Sequence, residues 1–159
     1  MGCAHSKGAL GHCVVKGAGA AKDVGRGLAL ARESAAAGSR FGQFVVGRCY
    51  YAGWGVAQDD AEAVRWYRLS AAQGHACAQN NVGFMFANGR GVALDYAEAV
   101  RWWRLAAAQG DAYAQFALGD MFANGLGVAK DRAEAIRLYR LAAAQGIAGA
   151  TAALQRLGA

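Results

Sequence analysis

The stretch GWGVAQDDAEA at residues 53–63 returns as GRGVALDYAEA at 89–99 and as GLGVAKDRAEA at 125–135. The interval is 36 residues each time, a period that marks a stacked supersecondary unit unable to bury its own apolar face alone. Working outward, each copy ends in Ala-Gln-Gly at Gly74, Gly110 and Gly146, which sets full repeats at 39–74, 75–110 and 111–146. Subtracting the same interval puts Gly11 under Gly47, Gly17 and Gly19 under Gly53 and Gly55, Asp23 under Asp59, and Gly38 under Gly74. Residues 3–38 therefore read as a degenerate repeat. After Gly146, Ala148, Ala150 and Leu154 stay in register with Ala112, Ala114 and Leu118, so 147–159 reads as a C-terminal capping helix of the same 159-residue repeat domain.

Composition points to helices. The chain has no Pro, 23 Gly and a heavy load of Ala, which suits short, closely packed helices ended by glycine; a sheet protein would want more Val, Ile and Thr. Each unit reads as helix, glycine turn, helix, glycine turn. Asp59, Asp95 and Asp131 stand where an N-cap is wanted, and Glu62, Glu98 and Glu134 follow three residues later, the spacing of a capping box. In the degenerate unit Arg26 stands in the Glu position, and Gly25 and Gly27 fall inside the predicted helix at about 1 kcal/mol apiece. That unit is expected to be the least stable.

On the second helix, Ala63, Trp66, Tyr67, Ser70 and Ala71 follow the stripe of a core-facing helix, repeated with Trp102 and Trp103, then Leu138 and Tyr139. A stacking platform for bases or sugars is the functional alternative; packing is the expectation. Arg65, Arg68, Arg101, Arg104, Arg137 and Arg140 form a ladder on the opposite face. It reads as solvated charge partly paired with the Glu one turn earlier, against the alternative of a phosphate-binding ridge.

The net charge of +6 is spread thinly, with no basic block, so no nucleic-acid stripe is expected. No apolar run approaches the roughly 18 residues of a membrane span, and no secretory leader pattern is seen, which makes a cytoplasmic protein the expectation. Of the four cysteines, Cys13 and Cys49 occupy one repeat position that holds Met85 and Met121 in later copies. With Cys3 and Cys77 they read as packing thiols and not as a disulfide framework.

One repeat, taken at Ala114, Leu118, Gly119, Phe122, Gly125, Gly127, Val128, Asp131, Ala135, Tyr139, Ala142, Ala143 and Gly146, resembles the Sel1-like repeat, with Leu138 departing from the usual Trp. Tetratricopeptide repeats run at about 34 residues and lack the Gly-x-Gly turn. The resemblance implies an all-α, right-handed solenoid of antiparallel helix pairs, in a family whose members usually act as adaptors or scaffolds for other proteins. It brings no catalytic residues and no cofactor. Members with an intra-repeat disulfide carry paired cysteines in every unit, which this chain does not.

Comparing the copies separates scaffold from display. Gln43, Gln79 and Gln115, like Gly47, Gly83 and Gly119, do not change. Phe41/Cys77/Tyr113, Phe44/Asn80/Phe116, Arg48/Phe84/Asp120 and Ala52/Asn88/Asn124 change freely and lie on one stripe of the first helix. In a solenoid this stripe is expected to line the concave surface. Phe41, Phe44, Arg48, Asn80, Phe84, Asn88, Tyr113, Phe116, Asp120 and Asn124 are thus the candidate groove for a protein or peptide partner. Drift at unused positions is the alternative.

No catalytic constellation assembles around His5, His12 and His75, and Asp120 is the lone acid of the groove, so no enzyme is expected. Cys3, His5, His12 and Cys13 have the wrong spacing for a common zinc site, and no metal is expected. The opening Met1-Gly2-Cys3-Ala4-His5-Ser6 fits a myristoylation pattern with an adjacent cysteine for palmitate. A membrane-tethered adaptor, lipidated at Gly2 and Cys3, is therefore one alternative, and a structural fragment of a longer repeat array is another.

Overall fold

The computed structural model describes residues 21–159. Among these the chain forms eight helices and no strand: α1 (Ala21–Ala36), α2 (Arg40–Ala52), α3 (Asp60–Ala72), α4 (Ala76–Asn88), α5 (Tyr96–Ala108), α6 (Ala112–Asn124), α7 (Arg132–Ala144) and α8 (Ala148–Leu157). Each helix packs principally against its neighbours in sequence, the arrangement of an α-solenoid. Helix α1 runs unbroken through Gly25 and Gly27.

The Gly-x-Gly run ends the first helix of each pair. Gly53, Gly89 and Gly125 take left-handed φ values of 71°, 61° and 71°, and their N–H groups donate back to the carbonyls of Cys49, Met85 and Met121. A side chain there would cost about 1–2 kcal/mol. The second glycine is held by packing as well. A Cβ on Gly91 would lie 2.3 Å from the carbonyl carbon of Asp60, and one on Gly127 2.4 Å from that of Tyr96. The turn of one repeat is thereby seated on the start of the preceding repeat's second helix.

Asp59, Asp95 and Asp131 cap α3, α5 and α7 by accepting from the backbone N–H of Glu62, Glu98 and Glu134 at 3.0 Å each. The expected capping box is only half formed. The three glutamates pair with Arg65, Arg101 and Arg137 one turn on, and do not fold back. The reason is that each capping Asp already donates its own N–H to the first helix, to the carbonyls of Tyr50, Phe86 and Phe122. No donor remains for the glutamate.

The unchanging glutamines tie the repeats together. Gln73, Gln109 and Gln145 donate to Gln43, Gln79 and Gln115 at 2.8, 2.7 and 2.9 Å within each pair. Gln79 and Gln115 in turn donate to the carbonyls of Ala71 and Ala107 in the preceding unit. The unchanging glycines have an equally plain role: a Cβ on Gly47, Gly83 or Gly119 would come within 2.7 Å of Tyr67, Trp103 or Tyr139 respectively. Their absence of a side chain lets the large aromatic of the second helix lie flat on the first.

Tyr67, Trp103, Leu138 and Tyr139 are buried, as a packing stripe requires, whereas Trp66 and Trp102 are half-buried. The arginine ladder is partly paired: beyond the three glutamate pairs, Arg68 and Arg104 lie over the rings of Phe86 and Phe122. Cys49, Met85 and Met121 fill the expected packing slot, and Cys49 is a free thiol whose pKa burial pushes up. Cys77 departs from the expectation of unpaired thiols, because it is disulfide-bonded. It sits in the first turn of α4, buried, at a repeat position different from the slot of Cys49. Its partner lies outside the described residues, as do His5 and His12, weighed and set aside as metal ligands, and Gly2 and Cys3 of the alternative lipidation pattern.

Candidate peptide-binding groove

A groove of about 510 Å³ runs across the successive first helices α2, α4 and α6. Of the residues singled out by variation between copies, Arg48, Asn80, Phe84, Tyr113 and Phe116 line it together. Phe84 and Tyr113 are 40% and 56% exposed, so the walls present aromatic surface to solvent. Tyr51 meets Phe84 edge-on at 6.4 Å and extends that wall.

The other five candidates stand elsewhere. Phe41 and Phe44 hold His75 between them, at 5.1 and 4.6 Å between ring centroids. His75 is buried and caps α4, with Nδ1 accepting from the N–H of Ala78; burial, and secondarily Arg40, holds its pKa below the usual histidine value. Asn88 and Asn124 donate to the carbonyls of Phe84 and Asp120 at 2.8 Å and so close the last turns of α4 and α6. Asp120 accepts from the hydroxyl of Tyr139 at 2.7 Å; burial raises the carboxyl pKa and this bond opposes it. Burial, then Asp120, pushes the Tyr139 phenol upward.

Four aromatic lining residues were not among the candidates. Tyr67 and Trp103 belong to second helices, yet they reach the groove floor because Gly47 and Gly83 leave no side chain in their way. Their polar ends are occupied: Asn81 hydrogen-bonds Tyr67, and the indole N–H of Trp103 points to Asn80 Oδ1 at 3.1 Å. Tyr51 and Trp54 carry a signal that was present in the sequence, since Tyr51/Ala87/Ala123 and Trp54/Arg90/Leu126 also vary between copies.

Two guanidinium groups stand at the α2 end. Arg90 is held by Asp60 through two bonds of 2.9 and 3.0 Å, lies 4.4 Å from the Tyr51 ring centroid, and donates to the Tyr51 hydroxyl. Arg48 lies over Trp54 at 5.1 Å and Phe44 at 6.0 Å. Among the described residues no group of three or more His, Cys, Asp or Glu could hold a metal, and no helix is long and apolar enough to cross a membrane.

An α-solenoid of 36-residue helix pairs joined by Gly-x-Gly turns defines a helical-repeat protein. The chain belongs to the Sel1-repeat family: the family model for the Sel1 repeat matches residues 4–39, 41–75, 78–111 and 112–147. It is similar to a protective antigen of uropathogenic Escherichia coli strains that displays an SLR fold, at 39% identity and a TM-score of 0.83, over 89% of this chain and 30% of that one. It is also similar to a Sel1 repeat protein from Oxalobacter formigenes, at 34% identity and a TM-score of 0.77, over 82% of this chain and 54% of that one. Helicobacter pylori cysteine rich protein B shares the fold at 17% identity and a TM-score of 0.66, over 87% of this chain and 99% of that one. The chain thus spans about a third to a half of the length of the two more similar proteins. A search among curated proteins returned no match. Sel1-repeat proteins are generally scaffolds for protein interaction and typically non-catalytic.

Proposed function

We propose that this chain is a non-catalytic adaptor that holds a peptide segment of a protein partner in the groove across α2, α4 and α6. The observation that carries this reading is the pairing of solvent-exposed Phe84 and Tyr113 across a groove of about 510 Å³. That volume suits one or two anchoring side chains, and exposed aromatics on rigid helices are the residues that dominate protein interfaces. The floor under them is fixed, because Trp103 is buried and hydrogen-bonded.

The test is capture of a partner from extract by the immobilised protein, followed by affinity measurement. Phe84→Ala and Tyr113→Ala are each expected to weaken binding about 30-fold or more, as loss of a central aromatic anchor does. Far-UV circular dichroism should be unchanged, since neither side chain belongs to the buried core. Undiminished capture by both variants would sink the proposal. Phe116 is a poorer probe: its ring lies 5.8 Å from that of Tyr139 and against Gly149 of α8, so truncating it disturbs the stacking of the terminal helix.

A further inference from the structure

We infer that the peptide taken by this groove carries a carboxylate beside its apolar anchor, and that Arg48 is the group that receives it. The inference rests on the groove being the binding site, and it names the chemistry of the occupant.

Of the two guanidinium groups described at the α2 end, one has an acid partner and the other has none among the described residues. Arg90 is neutralised by Asp60 in a two-bond pair, and Asp60 is thereby unable to serve Arg48. Arg48 lines the groove, yet among the described residues it makes no ion pair and no hydrogen bond; its contacts are the faces of Trp54 and Phe44. Stacking on aromatic faces fixes the plane of a guanidinium without using its N–H donors. The Arg48 donors thus have no hydrogen-bond partner among the described residues, in a cavity whose other walls are mostly aromatic and aliphatic. Among the described residues lining the groove, Arg48 is the one charged side chain and no acid is present.

A planar carboxylate matches the fork of a single guanidinium through two parallel bonds. A phosphate or a nucleic-acid backbone asks for several clustered cations, and the other guanidinium described at this end is committed to Asp60. An Asp or Glu side chain and a free peptide C-terminus present the same chemistry, and the two are separable by experiment.

The probe is a library of random twelve-residue peptides panned on the immobilised protein in two display formats, one with the peptide C-terminus free and one with it fused. Enriched peptides are expected to pair an aromatic or leucine anchor with an adjacent Asp or Glu in both formats, or to enrich only where the C-terminus is free if the terminal carboxylate is used. Changing that acid to its amide should weaken binding to the unaltered protein about tenfold or more, as expected for a charge-assisted hydrogen bond. The same change should cost nothing on Arg48→Gln, and Arg48→Glu should turn the preference toward basic peptides. The amide substitution is made in the peptide, so the first measurement holds even if an Arg48 variant folds poorly. Enrichment without an acid, or an equal loss on Arg48→Gln, overturns the inference while leaving the groove intact if Phe84→Ala still abolishes binding. Peptides indifferent to Phe84→Ala overturn the groove itself, and a library from which nothing enriches counts against both.

Discussion

Replacing Gly83 by alanine should destabilise this protein, although the same exchange in an unobstructed helix does the reverse. Alanine in a helix interior is favoured over glycine by about 1 kcal/mol. At Gly83 the new Cβ would lie 2.7, 2.8 and 2.9 Å from Nε1, Cδ1 and Cε2 of Trp103, where carbon contacts ordinarily settle at roughly 3.5–4.0 Å. The ring has little room to retreat, being 5% exposed and tied through its indole N–H to the carbonyl and side chain of Asn80. Forcing it aside costs about 1–3 kcal/mol of overpacking and up to about 1 kcal/mol for each weakened hydrogen bond. Set against the propensity gain, Gly83→Ala should lose roughly 2 kcal/mol. Gly25 in α1 is the control, because a Cβ there meets nothing within 4 Å. Gly25→Ala should gain about 0.5–1 kcal/mol. Urea unfolding followed by circular dichroism gives the comparison. Hydrogen exchange at the amides of α4 and α5 localises it, since a repeat array unfolds in part by neighbouring units. A Gly83→Ala protein as stable as its parent, with Gly25→Ala stabilised as stated, would refute the close approach of Trp103.

The adjacent tryptophans should respond differently. Trp102 has a buried indole N–H with no hydrogen-bond partner, so Trp102→Phe removes a destabilising group along with some packing, while Trp103→Phe removes bonded contacts to Asn80. Trp102→Phe is expected to be the milder of the two by about 1 kcal/mol or more in urea unfolding, and the opposite order would refute the assignment. His75 makes stability depend on pH. Its folded pKa lies below the unfolded value of about 6.5, so its contribution is complete above that pH and declines as pH falls from there toward the folded pKa, where the unfolded chain binds the proton first. His75→Ser, which keeps a capping oxygen as Ser39 does in α2, should flatten the slope of stability just below about pH 6.5. An unchanged slope would mean that another group is responsible.

The fold was legible because its determinants are local. The period, the αL glycines and the capping aspartates each act within a turn or two of the chain, so register alone exposes them. What failed to show was set across the helix pair. The Asp-x-x-Glu spacing of a capping box is also the spacing that leaves Glu62 one turn before Arg65, and only the carbonyl of Tyr50, nine residues upstream of Asp59, decides between them. The candidate stripe Phe41, Phe44, Arg48 was drawn along a whole helix face, but the end carrying Phe41 and Phe44 is filled by His75 from the next repeat. The disulfide of Cys77 had no signal in the repeat, because no equivalent position carries a second cysteine.

Variation between copies is therefore weaker grounds for a binding surface than it first looks. Tyr67, Trp103 and Tyr139 are equivalent in register, yet their polar ends meet Asn81, Asn80 and Asp120, which stand at three different positions of the first helix. Asn80 and Asp120 stand on the first helix of the same repeat as the aromatic they bond, and Asn81 on that of the following repeat. Asn80 and Asp120 thus have internal partners, and Asn88 and Asn124 bond the last turn of their own helix. Setting these aside, together with Phe41 and Phe44 packed on His75 and Phe116 packed beside Tyr139, leaves Arg48, Phe84 and Tyr113 in the groove: two aromatic rings partly open to solvent and a guanidinium with no hydrogen-bond partner among the described residues. Those three differ in character from one repeat to the next, so the groove they share is asymmetric along the array. A symmetric partner, such as a regular repeat laid along the solenoid, would find only one of its units matched, whereas a single short peptide with one anchor and one charge fits what is there.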